Sequence, residues 1–462
     1  MALIKSISGI RGTIGGRTGE NLTPVDAVKF AAAYGSWLIN STNKQKCTVV
    51  LGRDARISGS IMSGLVSNTL LALGIDVVDC GLSTTPTVEM MVPELQADGG
   101  IILTASHNPK EWNALKLLNE KGEFISDKEG KLILAMAESE DFNFADVDSL
   151  GQYTQKHDAI DIHIQRILEH PLVDVDAVRQ ADFLVAVDAV NSTGGISILP
   201  LLEAMGVRHK AIYCEPTGHF PHNPEPLREH LQDIANLVVK EKADLGIVVD
   251  PDVDRLALIT EEGEMFGEEY TLVAVADYVL ATHKTPTVSN LSSSRALRDI
   301  AQKHGVEYKA SAVGEVNVVE LMKELNAGIG GEGNGGIIFP DLHYGRDALA
   351  GIALFLTHLA KSNQKVSEMR AAYPAYFMSK TKIQLTPELR PDELLEKVQE
   401  YYASQPVEMS TIDGVKIDFD KEWVHLRKSN TEPIIRIYTE STSQENADNL
   451  AQKMNNLIAD FM

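Results

Sequence analysis

Short, near-continuous apolar runs recur along the first two thirds of this chain, at residues 48–51, 75–78, 100–103, 183–187, 245–249 and 287–291. Helical patterns lie between them. Strands that are apolar throughout need cover on both faces, and helices packed on a mostly parallel sheet supply it. The helix boundaries are written in local chemistry. Thr23-Pro24-Val25-Asp26 reads as an N-cap with Pro at the first position and an acid at the third, opening a helix through residue 39. Gly74 stops a helix over 60–73, Gly194-Gly195 opens one that Gly206 closes, and another ends at His304-Gly305. Beyond Tyr373-Pro374 the pattern changes: a helix at 393–402, strands at 414–419 and 423–426 and a last helix at 444–458 indicate a smaller α+β domain. A length of 462 residues suits three or four such units. The expected divisions are 1–150, 154–256, 257–368 and 374–462, with 142–153 and 362–369 as linkers.

Charge and cysteine usage narrow the class. Lys plus Arg number 42 against 65 Asp plus Glu, a net charge of −23 that repels nucleic acid and anionic lipid. No apolar run approaches the length of a membrane span. Residues 1–16 lack the apolar core of a signal peptide, and Cys47, Cys80 and Cys214 lack metal-ligand spacing, so a reducing cytosol is expected.

Four loops carry chemistry. Thr104-Ala105-Ser106-His107-Asn108-Pro109 leaves an apolar strand and places a hydroxyl beside an imidazole. On its own it could be a Ser turn, and it lacks the Gly-x-Ser-x-Gly elbow of acyl-transfer hydrolases. Asp250-Pro251-Asp252-Val253-Asp254-Arg255 sets three carboxylates at alternate positions after a buried strand. Like charges so placed repel along a strand, but folded around a hard dication they supply three oxygen ligands, which suits Mg²⁺. Gly331-Glu332-Gly333-Asn334-Gly335-Gly336 lets backbone approach a ligand, with an acceptor and a donor for sugar hydroxyls; it is no P-loop. Arg427-Lys428-Ser429-Asn430-Thr431-Glu432-Pro433, with Arg436 beyond, gathers guanidinium forks and hydroxyls suited to phosphate.

Together with Ser6-Ile7-Ser8-Gly9-Ile10-Arg11-Gly12 and Gly52-Arg53-Asp54, these loops occur in an order that resembles the α-D-phosphohexomutases, from about residue 4 to residue 438. The resemblance implies an α/β fold: three similar α/β domains with mixed, mostly parallel sheets, plus a C-terminal α+β domain around a central cleft. It implies an isomerase that moves a phosphoryl group between the 1- and 6-positions of a hexose through a phosphoserine and a bisphosphorylated sugar. By that likeness Ser106 is the phosphoserine, and Asp250, Asp252 and Asp254, with a phosphoserine oxygen, hold Mg²⁺. Arg11, His107, Lys116 and Arg255 line the catalytic site, with Lys116 as general acid/base, a role that would need a lowered pKa. Glu332 and Asn334 read the sugar; Arg427, Ser429, Asn430, Thr431 and Arg436 clamp the distal phosphate. A hexose 1,6-bisphosphate is the expected activator and a phosphosugar the expected small-molecule partner, with no nucleic acid or membrane.

Departures from the family pattern bear on the sugar. Asn334 stands where many members carry Ser, Gly336 where several carry His, Lys428 where Pro is frequent, and Gly314-Glu315 lacks a His found in the dual mannose/glucose enzymes. An amino sugar could pair its ammonium with Glu332 and Glu315, which favours phosphoglucosamine mutase over phosphomannomutase/phosphoglucomutase. A Mg²⁺-dependent sugar phosphatase is the more distant alternative.

Overall fold

The computed structural model describes residues 3–6, 9–42, 44, 46–385, 390–428 and 434–461. Four sheets organise them. The first runs Leu3–Ser6, Gly9–Thr13, Trp112–Leu118, Gly99–Leu103, Thr48–Arg53, Asp76–Leu82 and Tyr153–Gln155 in spatial order. Its last four strands pair in parallel, while Gly9–Thr13 and Trp112–Leu118 pair antiparallel on the other side. The second sheet has Leu256–Thr260, Leu245–Val249, Leu184–Asp188 and Arg208–Ile212; the third has Tyr308–Ser311, Thr287–Asn290, Ile329–Glu332 and Gly336–Ile338. Each of these two is parallel except for one antiparallel edge strand. The fourth sheet, from Phe377–Gln384 to Glu408–Ser410 at its two edges, is antiparallel throughout and backed by helices Pro391–Tyr402 and Gln444–Phe461. This is the expected fold class, three α/β units and an α+β unit.

Local chemistry sets the helix starts. Thr23 N–H donates to Asp26 Oδ2 at 3.1 Å, so the helix Pro24–Thr42 opens on the reciprocal cap its sequence announces. Thr84 caps helix Thr85–Glu94 by accepting from Thr87 N–H, and Asp347 caps helix Ala348–Ser362 through the N–H groups of Leu349 and Ala350.

Three boundaries differ from expectation. Strand Leu256–Thr260 pairs with Leu245–Val249, so it belongs to the second sheet and the division at 256/257 cuts through a hairpin. Strand Tyr153–Gln155 joins the first sheet beside Asp76–Leu82, past the expected end at 150. Residues 362–369 are no linker: Asn363 in the left-handed conformation closes one helix, and Val366 and Met369 of the next, Val366–Ala371, are buried in the core. That core is continuous from the second sheet into the third, with helices Glu268–Thr282 and Ala348–Ser362 contributing to it. Among the described residues no helix is long and apolar enough to cross a membrane.

Candidate active site

The Ser106, Asp250 and Gly333 loops each leave the carboxyl end of a strand, Gly99–Leu103, Leu245–Val249 and Ile329–Glu332, where ligands gather in open α/β sheets. Ser106 sits at positive φ (+47°), a conformation that turns its backbone sharply out of the strand. Arg56 holds it there. This buried guanidinium donates to the carbonyls of Ser106, Asn108 (2.6 Å), Pro109 (2.6 Å) and Trp112 (3.0 Å), and its Nε is anchored on Asp54 Oδ2 at 2.9 Å. Asp54 also accepts from Thr104 Oγ1 at 2.7 Å. The loop is thus a rigid platform, and Ser106 Oγ donates to Asp250 Oδ2 at 2.6 Å.

Asp250, Asp252 and Asp254 are fully buried, with one carboxylate oxygen of each within 4.8 Å of the others. Asp250 Oδ1 accepts the N–H groups of Asp254 and Arg255, curling the loop back on itself. Val253 within it has φ of +65°, a strained setting for a β-branched residue, held by full burial of its side chain. Asp252 Oδ2 accepts from Thr85 Oγ1 at 2.5 Å and from Lys116 Nζ at 2.7 Å. Asp254 Oδ2 accepts from Arg346 at 2.8 Å and faces Lys116 at 3.3 Å. The other oxygens, Asp252 Oδ1 and Asp254 Oδ1, are buried with no hydrogen-bond partner among the described residues. Burial, then repulsion from Asp254 and Asp252, raises the Asp250 carboxyl well above its ordinary range. Orphaned carboxylate oxygens that repel one another fit a hard divalent cation.

Four cations and an imidazole surround this triad. Arg11, His107, Lys116, Arg255 and Arg346 line one cavity of about 610 Å³ with Ser106, Glu332 and Asn334. Arg11 donates to Asn108 Oδ1 at 3.2 Å, and its pKa is lowered by burial and by the facing Arg255. Arg255 Nε has no partner among the described residues. His107 lies with Nδ1 3.3 Å from Ser106 Oγ, and burial, with Arg255, holds it well below its usual pKa, as a neutral ring. Lys116 departs from expectation. Burial alone would lower its pKa, but Asp252 and Asp254 outweigh that and hold the ammonium above its ordinary range.

In the loop expected to read a sugar, Glu332 Oε1 accepts from Asn290 Nδ2 at 2.8 Å, and Asn334 Oδ1 accepts from Gly336 N–H at 3.1 Å. Arg346 is the residue that sequence reasoning missed. Besides Asp254, it reaches Glu315 Oε2 at 3.0 Å and Glu332 Oε2 at 3.2 Å. The two carboxylates expected to receive an ammonium therefore already share a guanidinium. Gly336 makes room for it, since a Cβ there would fall 2.3 Å from Arg346 Cδ.

Arg427 and Arg436 stand directly opposite each other on antiparallel strands Trp423–Lys428 and Ile434–Ser441. Facing like charges are unfavourable unless an anion joins them. Arg427 pairs with Asp413 at 3.1 Å, and Asp413 accepts from the N–H of Val313, a residue of the cavity wall. Arg427 itself is one carboxylate removed from that wall. Ser429, Asn430 and Thr431 lie outside the described residues.

The whole chain has counterparts among known proteins. Residues 3–144, 161–263 and 267–376 match the families described as phosphoglucomutase/phosphomannomutase, alpha/beta/alpha domains I, II and III, and residues 381–457 match the C-terminal domain of the same series. A phosphoglucomutase/phosphomannomutase of Thermococcus kodakarensis is 36% identical over 94% of this chain and 95% of its own length. A probable phosphoglucosamine mutase of Methanopyrus kandleri is 32% identical over 98% and 96%. A phosphoglucomutase/phosphomannomutase family protein of Burkholderia thailandensis superposes with a TM-score of 0.84 at 25% identity, covering 99% of this chain and 98% of that one.

Proposed function

This chain belongs to the phosphoglucomutase/phosphomannomutase family, the α-D-phosphohexomutases, which are isomerases working by intramolecular phosphotransfer, and we propose that it interconverts the 1- and 6-phosphates of glucose and mannose through phospho-Ser106. The observation that carries this reading is the Ser106 hydroxyl, fixed 2.6 Å from Asp250 in a cavity that also holds Arg11, Lys116 and Arg255.

In the proposed cycle the Ser106–phosphorus bond breaks as phosphorus bonds to the free O6 or O1 of the sugar phosphate. The proton of that sugar hydroxyl passes to the freed Ser106 oxygen, restoring its hydroxyl, and the bisphosphorylated hexose then turns end for end. The bond from its other phosphoryl group to the sugar oxygen breaks as phosphorus bonds to Ser106 Oγ, and the Ser106 proton passes to the freed sugar oxygen. No phosphate is lost, which distinguishes this reaction from that of a phosphatase. Arg11 and Arg255 face the transferring group. Lys116, an ammonium in this geometry, serves as charge partner and proton donor rather than resting base. Asp250, Asp252 and Asp254 hold Mg²⁺, which when bound neutralises charge on the phosphoryl oxygens. Glu332 and Asn334 orient sugar hydroxyls, and Arg427 and Arg436, with residues 429–431, hold the non-reacting phosphate. A hexose 1,6-bisphosphate would act as activator by loading Ser106.

The choice of neutral sugars rests on Arg346. With Glu315 and Glu332 both ion-paired to Arg346, a C2 ammonium would have to compete with that cation for them. That weakens the physical reason for favouring glucosamine. Intact-mass spectrometry of the purified protein should find one phosphoryl group on part of the population, absent from Ser106→Ala; net phosphate release from glucose 1-phosphate would refute the mutase. In side-by-side assays kcat/KM for glucose or mannose 1-phosphate should exceed that for glucosamine 1-phosphate. The reverse order would overturn the sugar while leaving the mutase intact.

A further inference from the structure

A second group of buried ionisable side chains takes no part in the chemistry above. Helix Thr85–Glu94 contributes Thr87 and Glu89, helix Ala159–Leu168 contributes His163, and His343 and Asp347 come from the turn that opens helix Ala348–Ser362. The side chains of Glu89, His163, His343 and Asp347 are at most 7% exposed. His163 Nε2 and His343 Nε2 converge on one oxygen, Asp347 Oδ2, at 2.9 and 3.3 Å. Each ring is backed on its other nitrogen, His163 Nδ1 by Thr87 Oγ1 at 2.9 Å and His343 Nδ1 by Glu89 Oε2 at 3.3 Å. Asp347 Oδ1 is occupied by the N–H groups it caps, so Oδ2 is aimed inward.

Glu89 is otherwise unexplained. It is 1% exposed, and neither of its oxygens has a well-aligned hydrogen-bond donor among the described residues. The chain even omits a side chain to admit it, since a Cβ at Gly345 would lie 1.9 Å from Glu89 Oε2.

We propose that His163 Nε2, His343 Nε2 and Asp347 Oδ2 form a binding site for one borderline divalent transition ion, zinc foremost, supported from outside by Thr87 and Glu89. Two imidazoles and a carboxylate suit zinc and not Mg²⁺. Bonds of about 2.0–2.1 Å place tetrahedral ligand atoms about 3.3 Å apart. The three donor atoms already lie within 4.8 Å of one another. A hydroxyl and a carboxylate behind the two rings are the outer supports that fix tautomer and aim in zinc sites. A bound ion needs both rings unprotonated at Nε2, so uptake weakens as pH falls. Its role is structural: it ties helices of the first and second units to the turn of the third, immediately after Arg346.

The test uses the full chain, stripped with a chelator, returned to Mg²⁺ and titrated with Co²⁺ as a visible probe and then with Zn²⁺. One equivalent of Co²⁺ should give the absorption bands of a four-coordinate nitrogen/oxygen site, be displaced by Zn²⁺, and persist in Asp252→Asn. His163→Ala and His343→Gln should each weaken uptake at least about tenfold. Zn²⁺ should raise the melting temperature of wild type and of Asp252→Asn alike. If wild type binds no Co²⁺ or Zn²⁺ beyond what Asp252→Asn abolishes, the cluster is a protonated hydrogen-bond network and the proposal falls.

Discussion

Arg346 joins three carboxylates that belong to different functions: Asp254 of the triad, Glu332 of the sugar loop and Glu315 at the start of helix Glu315–Leu325. In the proposed cycle one side chain thereby sets the distance between where phosphate reacts and where sugar is read. Its stem depends on the missing side chain at 336. Gly336→Ala should displace the guanidinium and lower kcat/KM about tenfold or more, since sub-ångström placement matters at a reacting centre. The protein should still fold, because the added methyl meets side-chain atoms of Arg346 and Asn334 and no backbone. Steady-state kinetics on glucose 1-phosphate with a parallel melting curve decides it, and unchanged kinetics would show that Arg346 does not position the sugar loop. The pairing was not legible in the sequence. Arg346 follows Glu332 by 14 residues, and nothing local announces that a hairpin and a helix start will bring them together. Arg56 was hidden in the same way, as an ordinary-looking cation two positions after Asp54 whose partners are four carbonyls of another loop.

Elements whose signals are local were readable. Strand Leu245–Val249 is a β-branched, apolar run bounded by polar residues, and helix Pro24–Thr42 begins at its own capping residues. Strand Tyr153–Gln155 was not, because all three residues are exposed and only its pairing with Asp76–Leu82 makes it a strand. The turn at 362–369 looks polar enough for a linker, yet two apolar residues anchor it. At this scale one buried base gives a pH signature. His425 on strand Trp423–Lys428 bonds Ser292 Oγ through Nδ1 at 2.8 Å and Asp413 carbonyl through Nε2 at 2.6 Å. Burial, with Lys416 and Arg427 nearby and only Asp413 opposing, holds its pKa below the ordinary 6.5. The unfolded chain therefore binds the proton first, so this contribution is present above pH 6.5 and is lost as pH falls from there toward the lowered folded value. Melting temperature should drop across that acid window, and less steeply in His425→Gln. Equal slopes would mean that the ring stays neutral for no energetic reason.

Across the whole molecule, the proposed clamp must serve both isomers, because each presents a non-reacting phosphate to it in turn. Arg427→Ala should raise KM for the 1-phosphate and the 6-phosphate alike, by about 10- to 100-fold for a lost charge-assisted contact. An effect confined to one isomer would contradict a shared clamp.

The unit that carries this arginine is sewn to its neighbour by Arg295. Its guanidinium donates to the carbonyls of Asp420 (3.0 Å), Phe419 (3.3 Å) and Glu422 (2.9 Å) and to Asp418 Oδ1 (3.1 Å), while its backbone N–H reaches Glu440. Prying that seam apart would strand a cation now only 3% exposed. Any parting of the last unit from the third therefore has to break all of these bonds together, just as any parting of the third from the second has to open a shared apolar core.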